Sequence, residues 1–232
     1  MSLDQFIEQM PKVELHVHLE GSIRPETLLT LAQRNKQELP ADDLDGLKEW
    51  YQFKDFPHFA EIYWTIGRCI RTPSDIELIA REFLLGQAEQ NVLHSEVTYT
   101  ALTQYKQCEI PFEDQLEALN RARNWGWREL GVTMAVIMDI PRDAATVEEG
   151  KLVGQWAADG YGRGIDAIGL GGYEIGFPPE MFAGGIDIAR KAGVPCIPHA
   201  GETGGPDSIW GSIDRLGAKR VGHGVRCLED DE

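Results

Sequence analysis

Lys12-Val13-Glu14-Leu15-His16-Val17-His18-Leu19 runs directly into Glu20, Gly21 and Ser22, with Pro25 and Glu26 close behind. The compact apolar alternation predicts a strand over 12–19, and Ser22, Pro25 and Glu26 predict a helix start. Positions i and i+2 of a strand face the same way, so His16 and His18 project from one surface. Two imidazoles on one side make half of a zinc site. Alone the pattern is weak, because two polar residues at a strand end account for it equally well.

Beyond this strand the apolar residues repeat at helical spacing. Leu28, Leu29, Leu31 and Ala32 fit one helix face, and after a polar stretch over 36–46 so do Phe56, Phe59, Tyr63, Ile66 and Ile70. Thr72-Pro73-Ser74-Asp75 predicts a helix N-terminus with proline at the first helical position. Strands are then expected over 92–99, 132–140, 165–170, 194–199 and 220–223. Helices are expected over 112–130, 146–158, 179–191 and 208–216. Apolar strands separated by helices imply an α/β protein with a parallel sheet covered on both faces. With the first strand the count is six, whereas a closed (β/α)8 TIM-type barrel needs eight. The expectation is one domain over 1–232, a barrel lacking its last two β/α units, with a helical insert roughly over 22–90.

The 232 residues carry 22 basic and 38 acidic side chains, a formal charge of -16. Such a balance argues against a nucleic-acid or anionic-membrane partner, since both need a basic face. It suits a small neutral or weakly basic substrate, and a solvated acidic surface explains it equally. Cys69, Cys108, Cys196 and Cys227 form no CxxC pair, so reduced thiols are expected rather than disulfides or a thiolate zinc site. No cleavable apolar leader or membrane-length apolar run is present, which makes the cytoplasm the expected location. Oligomeric state leaves no mark in the sequence.

Four further histidines remain to be weighed. His199-Ala200-Gly201-Glu202 ends the fifth strand and opens a glycine-rich turn, and Val221-Gly222-His223-Gly224 ends the sixth. Catalytic groups of (β/α) barrels stand at these carboxyl ends and on the loops that follow. Four of the six histidines thus fall at expected strand ends, a pattern chance would scatter. His58, on a helix, and His94, inside a strand, are assigned no role.

Residues 10–22, from Met10 through Ser22, resemble the opening signature of the adenosine deaminase family. His199-Ala200-Gly201-Glu202 and Val221-Gly222-His223-Gly224 resemble its two later signatures, in the family's order. The resemblance implies that His16, His18 and His199 bind one zinc ion per chain. It further implies that Glu202 donates a proton to a purine ring nitrogen, while His223 orients and helps deprotonate water. Gly172 matches a glycine whose backbone meets the purine, and Glu20 an acidic position that contacts ribose. Phe59 and Tyr63 would form an apolar wall, with His18 also facing the substrate.

The chemistry is coherent. Zinc lowers the pKa of bound water from about 16 to about 7, which supplies a nucleophile at neutral pH. Attack on an aromatic ring carbon builds charge on the adjacent nitrogen, so a positioned carboxylic acid must protonate it. The expected reaction is zinc-dependent hydrolysis of adenosine to inosine and ammonia. An adenine or other 6-aminopurine deaminase is the runner-up, favoured by Glu20, which stands where adenosine deaminases usually carry aspartate. Tyr173 and Thr98 also depart from the family pattern. A paired aspartate expected on the family's last strand would fall after Glu232, so an inactive fragment that only binds metal is the alternative of another class. A generic amide or ester hydrolase ranks low, for want of a lysine at a strand end. A cytidine-deaminase site needs PCxxC, which Pro195-Cys196-Ile197-Pro198 does not continue.

Overall fold

The computed structural model describes residues 1–231, apart from the side chains of 57 and 58. Its helices are α1 (Leu3–Gln9), α2 (Pro25–Asn35), α3 (Leu44–Trp50), α4 (Phe56–Arg68), α5 (Pro73–Glu89), α6 (Ala101–Cys108), α7 (Phe112–Trp125), α8 (Val147–Gly160), α9 (Ala183–Lys191) and α10 (Pro206–Trp210). The strands are β1 (Lys12–His18), β2 (Val92–Tyr99), β3 (Thr133–Pro141), β4 (Ala167–Gly171), β5 (His199–Ala200) and β6 (Gly222–His223). One sheet holds β1-β2-β3-β4 in chain order, and β5 pairs with β6. All six expected strands are present, and the α/β architecture is that of an incomplete (β/α)8 barrel. None of the described helices is long and apolar enough to cross a membrane.

The chain divides into two compact units. The first comprises Met1–Val97 and Thr103–Met134. Its core gathers Leu28, Leu31, Leu47, Ile66, Ile76, Ile79 and Leu84, all essentially inaccessible. These residues come from the buried faces of α2 to α5. Thr72 caps α5 as the sequence predicts, with Asp75 returning the bond in a capping box. The Asp75 carboxylate is fully buried and also accepts from Arg71 N at 2.9 Å and Asn35 Nδ2 at 3.0 Å. One buried acid thereby ties two helix ends together.

The second unit comprises Thr98–Leu102 and the chain from Ala135 onward. Here β3 and β4 pair in parallel from Ile137↔Ala167 to Pro141↔Gly171. All five residues of β4 are buried, which explains why it reads as a continuous apolar run. The expected strand over 194–199 shrinks to β5, preceded by a single parallel bridge, Ile168↔Cys196. Pro195 and Pro198 are the reason: neither has an N–H for a ladder, although their carbonyls accept from Ile168 and Gly222. The last strand likewise shortens to Gly222–His223. The helices expected over 112–130 and 208–216 each finish in a π-helical turn, Gly126–Leu130 and Gly211–Arg215. Three helices escaped the sequence reading. Of these, α1 has no buried residue and α3 is only seven residues long, so neither shows a full apolar stripe, and α6 follows β2 after a single residue.

The α8–α9 contact depends on missing side chains. A Cβ on Gly154 would run into the backbone of Gly185, and one on Gly185 into the backbone of Gly150. Backbone cannot retreat as a flexible side chain can, so close packing is available only to glycine here. Gly154→Ala is expected to lower stability by about 1–3 kcal/mol despite alanine's better helix propensity. Urea unfolding of the variant beside the parent measures this, and an unchanged midpoint would contradict it.

Candidate active site

In the first unit, β1 carries His16 and His18 with ring centroids 6.1 Å apart, as period-two geometry requires. The chain then tightens into a 3-10 turn, Glu20–Ser22, held by Ser22 Oγ donating to Leu19 O at 2.7 Å. That turn buries Glu20 to 1% exposure. From α4, Tyr63 meets His18 edge-on at 6.1 Å between centroids, and Phe59 lies 6.3 Å from Tyr63. Phe59 is 39% exposed. His18, Tyr63 and Phe59 therefore form one aromatic row, the residues named from the sequence. The side chain of His58 lies outside the described residues. His94 makes a 2.7 Å hydrogen bond with Thr133 Oγ1, a structural employment consistent with assigning it no role.

In the second unit, β5 and β6 end side by side through the parallel register His199↔Gly222 and Ala200↔His223. His199 is buried, and its ring centroid lies 5.1 Å from that of His223. Glu202 Oε2 stands 3.2 Å from His223 Nε2, within reach for shared proton handling. His223 has φ 67°, a left-handed conformation unusual for a residue with a Cβ. The flanking chain holds it there: Gly222 N donates to Pro198 O and Gly224 N to Ala200 O, both at 2.9 Å. Such local strain concentrates at functional positions. Gly172, just past β4, has φ 87°, and a Cβ there would collide with the Asp143 carboxylate. Only glycine fits.

Three buried charged residues behind these groups were not singled out in the sequence. Arg142 is inaccessible and donates to the carbonyls of Leu170 (3.0 Å), Gly171 (3.3 Å) and His199. Asp139 accepts from Thr100 Oγ1 at 2.7 Å, and burial pushes its carboxyl up to about 6. Glu174 accepts hydrogen bonds from the loop after β5 and from the Ser208 hydroxyl. Its burial acts to raise the pKa, but those donors outweigh it and hold the carboxyl down at about 2. Their partners lie up to 57 residues away in sequence, so local patterning carries no trace of them. All four cysteines are free. Burial pushes the thiols of Cys69 and Cys196 up to about 11 and about 12, which fits inert reduced thiols.

Parallel strands alternating with helices, with imidazoles and a carboxyl at the strand ends, define an α/β-barrel hydrolase. Residues 11–232 match the sequence family described as Adenosine deaminase, and the chain belongs to that family. It is 36% identical to an adenine deaminase of Bordetella avium, over 98% of this chain and 71% of that protein. Identity to an adenine deaminase of Pseudomonas fluorescens is 37%, over 97% and 70%. The solved adenine deaminase from Arthrobacter aurescens superposes with a TM-score of 0.87 at 30% identity, covering 95% of this chain and 67% of that one. An amidohydrolase from Burkholderia ambifaria with bound Zn gives 0.89 at 26% identity, covering 99% and 64%. The chain thus spans about 70% of the length of the curated relatives it matches.

A carboxyl held at about 2 against an ordinary 4.5 has a direct consequence for acid stability. The folded pKa is depressed, so the contribution is complete above about pH 4.5 and is lost as pH falls toward 2. Its size is of the order of 3 kcal/mol. Urea midpoints of the parent and Glu174→Gln should differ clearly at pH 7 and converge through that window. A gap independent of pH would refute this.

Proposed function

We propose that this chain carries hydrolytic deamination of a 6-aminopurine, with adenine preferred over adenosine. The observation that supports this best is the Glu202–His223 pair, 3.2 Å apart and beside His199, in a chain 36–37% identical to adenine deaminases. The sequence reading put adenosine first. The relatives' names favour the free base instead, in keeping with Glu20, one methylene longer than the aspartate of ribose-recognising members.

His16, His18 and His199 are the one group among the described residues whose side chains could hold a metal ion. An all-imidazole donor set suits zinc, the ion bound in the Burkholderia ambifaria relative. In this reading the three hold one Zn2+, whose chemistry is the supply of a nucleophilic oxygen from water at neutral pH. Glu202 donates a proton to the ring nitrogen beside the carbon that bears the amino group. His223 orients the attacking water and accepts its proton. Phe59 and Tyr63, with His18, contact the flat face of the base, and Gly172 offers its backbone to the purine edge. Glu20 stands where ribose would lie.

Ammonia release from adenine and adenosine, with and without a chelator, tests the reading on protein expressed from its own reading frame. Adenine is expected to be favoured at least about tenfold in kcat/KM, or about 1.4 kcal/mol, with chelator-sensitive turnover. Glu202→Gln should lower kcat by about 10²–10⁴ while retaining metal, and His16→Ala should lower the zinc content. Faster turnover of adenosine, or chelator-insensitive release, would overturn the proposal.

A further inference from the structure

Glu174 lies just beyond β4 and is 4% exposed. Four consecutive backbone N–H groups converge on its carboxylate. Gly201 donates to Oε2 at 2.9 Å, while Glu202, Thr203 and Gly204 donate to Oε1 at 2.8, 2.8 and 3.0 Å. The Ser208 hydroxyl adds a fifth donor on Oε2. The exchange is reciprocal, since Glu174 N donates to Thr203 Oγ1 at 3.1 Å. Successive amides turned toward one point form an anion nest, and here the anion is a side chain of the same protein.

The nest matters because of what the loop carries. Residues 201–205 belong to no helix or strand and include three glycines, so the unrestrained segment would sample many conformations. Glu202 sits in the middle of it. Resting on the proposed role of Glu202 as proton donor, we propose that Glu174 is a positioning residue that fixes this loop and so aims Glu202 at His223. Arg142 secures the strand end just before this loop, by holding the His199 carbonyl together with those of Leu170 and Gly171 at the end of β4. The cage requires a full carboxylate. Glutamine brings one acceptor and an N–H2 group that faces donors, and aspartate falls a methylene short.

Glu174→Gln, Glu174→Ala and Ser208→Ala test this, read by kcat and KM on the better aminopurine, zinc content, and hydrogen exchange at the amides of residues 201–204. A misplacement of about 1 Å can cost about 10²-fold in rate. Glu174→Gln should therefore lose about 10–100-fold in kcat with KM within about threefold and zinc retained. Its loop amides should exchange faster. Added formate should recover part of the rate and the protection in Glu174→Ala, where it can enter the nest, and none in Glu174→Gln. Ser208→Ala keeps the carboxylate and removes one donor, so a loss of about two- to fivefold is expected even if the other variants fold poorly. Parental kcat in Glu174→Gln, or a loss of kcat with unaltered exchange and no formate recovery, would overturn the proposal. A parent inactive on every aminopurine would instead refute the functional reading, and the exchange and formate measurements would still report on the cage.

Discussion

A parallel sheet leaves the amides and carbonyls beyond its strand ends without ladder partners, and buried ones must find others. In the second unit of this protein two buried charges of opposite sign meet much of that demand. The Arg142 guanidinium takes up the carbonyls of Leu170, Gly171 and His199, and the Glu174 carboxylate takes up four amides of the following loop. Burying either charge without such bonds would be prohibitively costly. With them, the carboxyl ends of β4 and β5 are tied to each other and to the loop that carries Glu202.

Around these bonds the candidate residues are held in conformations that isolated peptides avoid. His223 keeps a left-handed backbone because its neighbours are bonded on both sides to the chain around β5. Glu202 comes within hydrogen-bond range of it from a loop with no regular structure of its own. In the first unit the aromatic row His18, Tyr63 and Phe59 owes its position to helical spacing on α4 and to the tight turn that buries Glu20. Stability and site geometry thus draw on the same bonds.

Membership of the adenosine deaminase family is legible in three short motifs, because each spans only a few adjacent residues and can be read without knowing the fold. Substrate preference is not. One methylene at Glu20 hints at a free base rather than a nucleoside, and only the likeness to adenine deaminases gave that hint weight over the adenosine first expected.

The sequence by itself determined the order of the six strands and of most of the helices, the family, and the identity of His16, His18, Glu20, Phe59, Tyr63, Gly172, His199, Glu202 and His223 as candidates. These rest on periodicity and on motifs that span a few adjacent residues, where chemistry and spacing are read directly. Tertiary structure alone decided that prolines cut β5 to two residues, that Gly154 must stay bare against Gly185, and that Asp139, Arg142 and Glu174 are buried with hydrogen-bond partners far off in sequence. Each of those depends on atoms brought together from distant parts of the chain, and a hydrogen bond closed across tens of residues leaves no periodic signal in either partner.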